Sequence, residues 1–221
     1  AYLAERARGA GARRIEVVPT VVDLDRYRAS RPNGPAVPVV IGWIGSPKTA
    51  SYLEPVKRLL LTMSGRHPIE CVAIGARPDQ VAGGPFVAKP WSEADEAETL
   101  AGLDIGIMPL PDEPWTRGKC GYKLIQYMAC GLPVVASPVG VNSDIVRHGE
   151  NGFLASTQRE WEEALVRLIL DPDLRRRMGS AGRRRVEAEF SLQVQAPRIA
   201  RLLRSVTARG RAAVGQRRTA C

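Results

Sequence analysis

The sequence predicts an α/β domain built on a parallel sheet with helices on both faces. Three observations lead there. Short apolar runs alternate with stretches of helical periodicity from Val39 onward. Those runs put apolar residues on both faces, as strands do when both faces of a sheet are covered. Two of them, "VVIGWIG" and "IECVAIG", stop at a glycine, Gly45 and Gly75. In open parallel sheets ligands bind beyond the carboxyl ends of the strands. The loops after Gly45, Gly75, Leu110 and Ser137 are therefore where a site is expected.

The elements follow in order. Residues 2–9 read as a helix and "RIEVVP" (14–19) as a strand. "TVVDLDRYRASRPNGPAVP" then loses periodicity and fills with Pro, Gly and charge, which is linker composition. Residues 39–45 form a strand, and "TASYLEPVKRLLLTM" a helix that Pro55 either kinks or opens in its first turn. A strand at 69–75, a short one in "FVAKPW", a polar helix in "EADEAETLAG" and a strand at 104–110 come next. "KLIQYMACG" is a helix stopped by Gly131, and "PVVAS" a buried strand. "SDIVRH" is a short helix capped by Asn142 or Ser143, with His148 at its C-terminal end. "NG" at 151–152 turns into a last strand, "FLA". Thr157 and Glu160 form a capping box before "WEEALVRLIL". Asp171 and Pro172 end that helix, arginine-rich helices reach about Ser205, and disorder is expected from about Arg209.

Composition narrows the function. Of 221 residues 44% are apolar, enough for a core. No apolar run approaches the roughly 20 residues of a membrane span, and no signal peptide is visible. Cys71, Cys120, Cys130 and Cys221 show neither metal-ligand spacing nor a dense disulfide framework, so they read as reduced, cytosolic thiols. His67 and His148 belong to no metal motif. The net charge of +9 comes largely from arginine, and the runs at 175–177 and 183–185 read as solvated helix surface. Aromatics make up only 5% and do not interleave with the basic runs, which argues against a nucleic-acid partner. The chain opens at Ala1 already inside a helical pattern, so it is expected to be a fragment of something longer.

Three segments carry candidate chemistry. In "GWIGSPKTASYL" a strand ends at Gly45, and Ser46, Lys48 and Thr49 stand at a helix start, where free N–H groups suit a phosphate; a plain turn and cap explains them equally well. "PLPDEPWTRGKCGYKLIQYMACG" brings Arg117, Lys119 and Lys123 together with Gly118 and Gly121. Lys119 and Lys123 are four apart, so one helical face could show both; the alternative is a solvated basic turn. "SPVGVNSDIVRHGENGFLA" is a loop above a strand end, and Asp144 in it suits a helix's first turn better than catalysis.

"VVPTVVDLDRY", "IGWIG" and "KLIQYMACGLPVVASPVGVNSDIVRHGENGFLA" together resemble the retaining, nucleotide-sugar-dependent glycosyltransferases of group 1, or family 4, across roughly residues 14–155. The resemblance implies one half of the GT-B fold, Rossmann-like and donor-binding. Residues 1–28 would be the end of an acceptor domain and a linker with Asp23 near the hinge, residues 29–206 the nucleotide-sugar-binding domain, and 207–221 a basic tail. It further implies transfer from a nucleotide-diphosphate sugar to an unknown acceptor, with no cofactor and no metal, in the cytoplasm or peripherally at the inner membrane face. The fragment without its acceptor domain would bind nucleotide and not transfer sugar. The family's paired glutamates are absent: Gln126 and Gly118 stand at those positions, so Gln126 would meet the ribose and Asp112 or Glu113 the sugar. Ser46 replaces the family's arginine. Lys48, Lys119 and Lys123 would supply the charge at the diphosphate, against Gly45, Gly118 and Gly121, and Trp91 would lie near the base. A decayed, non-catalytic donor domain and another GT-B enzyme, such as a sugar-nucleotide epimerase or a phosphorylase, are the alternatives.

Overall fold

A computed structural model describes residues 2–28 and 38–218, with side chains as far as residue 206. Six strands, β1 (Val39–Ile44), β2 (Ile69–Ile74), β3 (Phe86–Lys89), β4 (Ile105–Met108), β5 (Val134–Ala136) and β6 (Gly152–Leu154), form one parallel sheet in the order β3-β2-β1-β4-β5-β6. The helices are α1 (Tyr2–Gly9), α2 (Glu54–Ser64), α3 (Pro78–Val81), α4 (Glu96–Ala101), α5 (Pro114–Arg117), α6 (Tyr122–Ala129), α7 (Asn142–Ile145), α8 (Gln158–Leu170), α9 (Pro172–Glu189) and α10 (Leu192–Arg218). Every strand expected from Val39 onward is present.

The strands are mostly apolar because both faces are covered; the exceptions lie on β2 and β3, where Glu70, Val87 and Lys89 are exposed. On one face Ile41, Trp43 and Val135 pack with Leu59 and Leu60 of α2 and Leu165 and Leu168 of α8. On the other, Ile44, Ile74 and Val134 pack with Leu100 of α4, Leu124 and Met128 of α6 and Val186 of α9. The Thr157–Glu160 capping box opens α8 as expected. Asp171 caps α9 by accepting the Leu174 N–H at 2.8 Å, with Pro172 in its first turn.

Several expectations change. Residues 14–19 form no strand. An extended run needs a neighbour to complete its ladder, and no described strand pairs with it. The run is tied down instead by single bonds: Val17 O accepts from Arg198, and just beyond it the Val22 N–H donates to Phe190 O while its carbonyl accepts from Leu192 N–H. The helix expected from Thr49 is a 3-10 helix, Pro47–Leu53, followed by α2 with Pro55 in its first turn. Proline lacks the N–H that a helix interior requires, so the regular ladder begins only at Glu54. Neither Asn142 nor Ser143 caps α7; Val141 precedes it without a side-chain bond. Asn142 instead donates to Ser137 O at 3.0 Å and pins the loop over β5. His148 lies past the end of α7, where its Nδ1 accepts the Leu154 N–H. The carboxylate of Asp23, expected near a hinge, accepts from Asp25 N–H and from Gln193 on α10.

The arginine runs are only half solvated. Arg175 is 7% exposed and donates to the Leu168 and Ile169 carbonyls, two of the groups that the end of α8 leaves unbonded. Arg183 donates to the carbonyls of Tyr27 and Ala129, joining the segment before the sheet to the end of α6. Arg176 and Arg177 do face solvent. Backbone helicity continues to Arg218, through most of the expected disordered tail; residues 219–221, Cys221 included, and residues 29–37 of the expected linker lie outside the described residues. Cys71, Cys120 and Cys130 are free thiols. Among the described residues no helix is long and apolar enough to cross a membrane.

The feature that positions the site is a split in the middle of the sheet. β1 and β4 pair only at Ile41 with Ile105 and Gly42 with Gly106. Above that point the Tyr127 hydroxyl of α6 takes over, accepting the Ile44 N–H at 2.9 Å and donating to Ile107 O at 3.3 Å. Burial holds this phenol protonated far above its ordinary range. Its ring passes so close over β4 that a Cβ at position 106 would come within 2.4 Å of it. Gly106→Ala should therefore lower stability, although replacing a strand glycine usually raises it. Overpacking of this kind costs about 1–3 kcal/mol, or a fall in Tm of roughly 2–4 °C per kcal/mol in a chain of this size. A thermal melt of the variant with an unchanged or higher Tm would show that the ring has room to move.

Candidate functional site

A cavity of ≈ 370 Å³ opens above the split, over the ends of β1 and β2 and beside the first turns of α4 and α6. Strand order reverses between β1 and β4, and such a reversal is where open α/β sheets bind ligands, because the connections on its two sides leave toward opposite faces. Gly45, Ser46, Gly75, Trp91, Glu96, Tyr122, Lys123 and Gln126 line it.

Lys123 is its cationic pole. The ammonium lies 4.4 Å from the centroid of the Trp43 ring and would stand 2.8 Å from a Cβ at position 45. A bare Gly45 thus lets backbone and lysine share one corner. Burial, reinforced by the charge of Lys119, pushes the Lys123 pKa down to about 7. The Trp43 ring face eases that burial only in part.

Glu96 is its anionic pole. One carboxylate oxygen accepts from the Tyr27 hydroxyl and from Gln126 Nε2 at 2.8 Å. The other accepts from the Trp91 indole N–H at 2.7 Å. Gln126 Nε2 also donates to the Tyr27 hydroxyl oxygen at 2.9 Å. Burial, then the bond to Glu96, keeps the Tyr27 phenol protonated and so a donor. Tyr27 and Gln126 are each 2% exposed, whereas Trp91 is 51% exposed with its ring beside the cavity.

Of the residues expected from sequence, Gly45, Ser46, Trp91, Lys123 and Gln126 meet around this cavity. The others stand apart. Lys48 is exposed on the 3-10 helix. Asp112 is held by Arg117 through bonds of 2.6 and 3.0 Å and lines a different hollow with Ser137 and Trp161. Gly118 and Lys119 border another cavity, against α1. Lys119 and Lys123 do not share a helical face, because α6 begins at Tyr122 and Gly121 before it is left-handed, φ 68°. Lys119 instead reaches over the Tyr52 ring at 5.3 Å, near enough for its charge to act on Lys123. Gln126 has both N–H bonds committed, so its carbonyl oxygen is what it can offer a ligand. Sequence reasoning missed Glu96, Tyr27 and Tyr122. The available cue was position: an acidic helix start directly after the strand ending at Lys89, on the ligand edge of the sheet.

Residues 50–171 match the family model described as glycosyl transferases group 1, more than half of the chain. The chain belongs to that family. The glycosyltransferase chain is 28% identical over 221 aligned residues to a D-inositol 3-phosphate glycosyltransferase of Corynebacterium jeikeium, covering 85% of this chain and 51% of the relative. It spans about half or less of the length of the curated relatives it matches. Among solved structures it superposes on the C-terminal domain of LpcC, a glycosyl transferase group 1 family protein from Francisella tularensis, with TM-score 0.58 at 18% identity, covering 77% of this chain and 99% of that one. Anabaena HepE in complex with UDP and glucose gives TM-score 0.70 at 20% identity, over 90% of this chain and 59% of that one. The fold thus matches one half of the GT-B glycosyltransferases.

Lys123 gives this domain a pH signature of its own. Folding lowers its pKa from 10.5 to about 7, so the folded chain binds that proton less tightly than the unfolded one. The resulting cost is full below about pH 7, where both states are charged, and fades as pH rises toward 10.5, where both are neutral. Lys123→Met should be more stable than the parent at pH 6, by on the order of 1–2 kcal/mol once residual solvent access is discounted. That gain should shrink by pH 9.5. Urea unfolding of both proteins at the two pH values checks it, and a gain independent of pH would mean that Lys123 carries no buried charge.

Proposed function

We propose that this chain is the donor-binding half of a retaining glycosyltransferase that takes a sugar from a nucleoside-diphosphate sugar. The observation that carries the reading is the polarity of the cavity at the strand reversal. A half-buried lysine with no offsetting carboxylate among its described neighbours stands at one pole, beside the open backbone of Gly45 and Ser46. A carboxylate and an indole stand at the other. A nucleoside diphosphate has the matching layout, anionic at one end, with hydroxyls and a flat base at the other.

Lys123 then acts twice. A diphosphate supplies the missing counter-charge, so binding favours the protonated lysine. When the glycosidic bond to the diphosphate breaks, negative charge grows on the leaving oxygen, and a cation already fixed beside it stabilises the transition state without reorganisation. Lys119, 5.3 Å from the Tyr52 ring centroid, adds long-range positive potential. No metal or organic cofactor enters this reading. The acceptor and the remaining catalytic groups belong to the other half of a GT-B enzyme.

The test is isothermal titration of the parent and Lys123→Met with UDP and GDP, each against its nucleoside. A charge-assisted hydrogen bond is worth about 1.5–3 kcal/mol, so the variant should bind the diphosphate roughly ten- to a hundredfold more weakly. Nucleoside affinity should hold. Equal losses for diphosphate and nucleoside would remove Lys123 from the phosphate and the reading with it.

A further inference from the structure

Glu96 has no assigned role, and its surroundings exceed what a helix-start carboxylate needs. Three donors from separate parts of the chain converge on it: Tyr27 from before the sheet, Trp91 from the loop after β3 and Gln126 from α6. One of its oxygens accepts two of these bonds and the other only one. A carboxylate oxygen offers about two acceptor positions, so the oxygen bonded to Trp91 keeps one, and Glu96 borders the cavity. We infer that Glu96 is the residue that reads the donor's ribose, accepting a hydroxyl of its 2′,3′-diol, with Tyr27, Trp91 and Gln126 as positioning residues.

The chemistry selects this ligand class. An ionised carboxylate only accepts, so it repels phosphate and favours neutral hydroxyl donors. The indole held at 2.7 Å by the same carboxylate places an exposed aromatic face beside the diol position, where a nucleobase attached to that ribose can stack. Gln126, the residue expected to meet the ribose, is 2% exposed and directs its amide N–H groups at Tyr27 and Glu96. The acceptor has in effect moved from α6 to the first turn of α4, and Gln126 holds it there. A glutamate at 126 would set two carboxylates against each other about where the 2.8 Å bond now lies, so the amide at 126 and the acid at 96 are a matched pair.

This inference rests on the nucleoside-diphosphate reading, and one set of titrations separates the two. The full chain is titrated with UDP, GDP, their 2′-deoxy and 3′-deoxy forms, and inorganic pyrophosphate. The parent should prefer a ribonucleotide over at least one deoxy form by roughly tenfold, the worth of one charge-assisted hydrogen bond. Glu96→Ala should abolish that preference and leave pyrophosphate binding unchanged. Glu96→Gln, which keeps the volume, should reduce the preference, and Tyr27→Phe should reduce it less. A parent that binds UDP or GDP without distinguishing the deoxy forms, or a preference that survives in Glu96→Ala, overturns the role of Glu96 and leaves the donor-site reading standing. A parent that binds none of the nucleotides overturns both.

Discussion

The hydroxyl of Tyr127 stands where the middle of the sheet comes apart, and much else in the structure depends on it. β1 and β4 are neighbours for two residue pairs and then diverge. Divergence would strand the Ile44 N–H and the Ile107 carbonyl in a dry interior, at about 1–3 kcal/mol for an unsatisfied group. One phenol satisfies both. It can do so because Gly106 leaves its ring room against the strand. The cavity whose walls carry Lys123 and Glu96 opens nearby, over the ends of β1 and β2, and the helix that brings Tyr127 to the split also brings Lys123 and Gln126 to the cavity.

The two charged poles are built differently. Lys123 is held by apolar burial and an aromatic ring, with positive charge nearby from Lys119. It is a cation short of an anion. Glu96 is surrounded by donors and needs only a little more. Such an arrangement suits a ligand that is strongly charged at one end and neutral but hydroxylated at the other. It also links the ligand to the segment before the sheet. Tyr27 touches Glu96 with its hydroxyl, while its carbonyl accepts from Arg183. The run of arginines on α9 thereby helps seat the residue that orients the carboxylate.

Much of the fold was legible because it rests on local rules. Apolar runs between turn residues placed β1, β2, β4 and β5, and the pattern Thr157, Glu160 placed the start of α8. The errors came where a partner decides. Residues 14–19 have the composition of a strand but no ladder to join. Arg175 and Arg183 look like surface until the carbonyls they bond are in view. Of the candidate cavity's lining, Gly45, Ser46, Trp91, Lys123 and Gln126 were singled out from sequence, because they lie just after strands or on the helix that follows a glycine turn. Glu96 and Tyr27 were not, being 30 and 99 positions from Gln126. No periodicity links such residues; only the closed sheet brings them together. Lys119 misled because helical spacing was assumed across Gly121, whose left-handed backbone interrupts it.

The central claim is that a nucleotide occupies the cavity above the β1–β4 split. Four tryptophans are placed to report on it. Trp91 lines the cavity and Trp43 lies beneath Lys123, whereas Trp161 borders the separate hollow beside Asp112; Trp115, 72% exposed, lies under the Lys119 ammonium. The direct measurement is the set of indole N–H resonances in a 15N-labelled chain as UDP or GDP is added. Saturable shifts at Trp91 and Trp43, with Trp161 unmoved, are the predicted result. Shifts at Trp161 with Trp91 and Trp43 silent would place the ligand elsewhere and contradict the account.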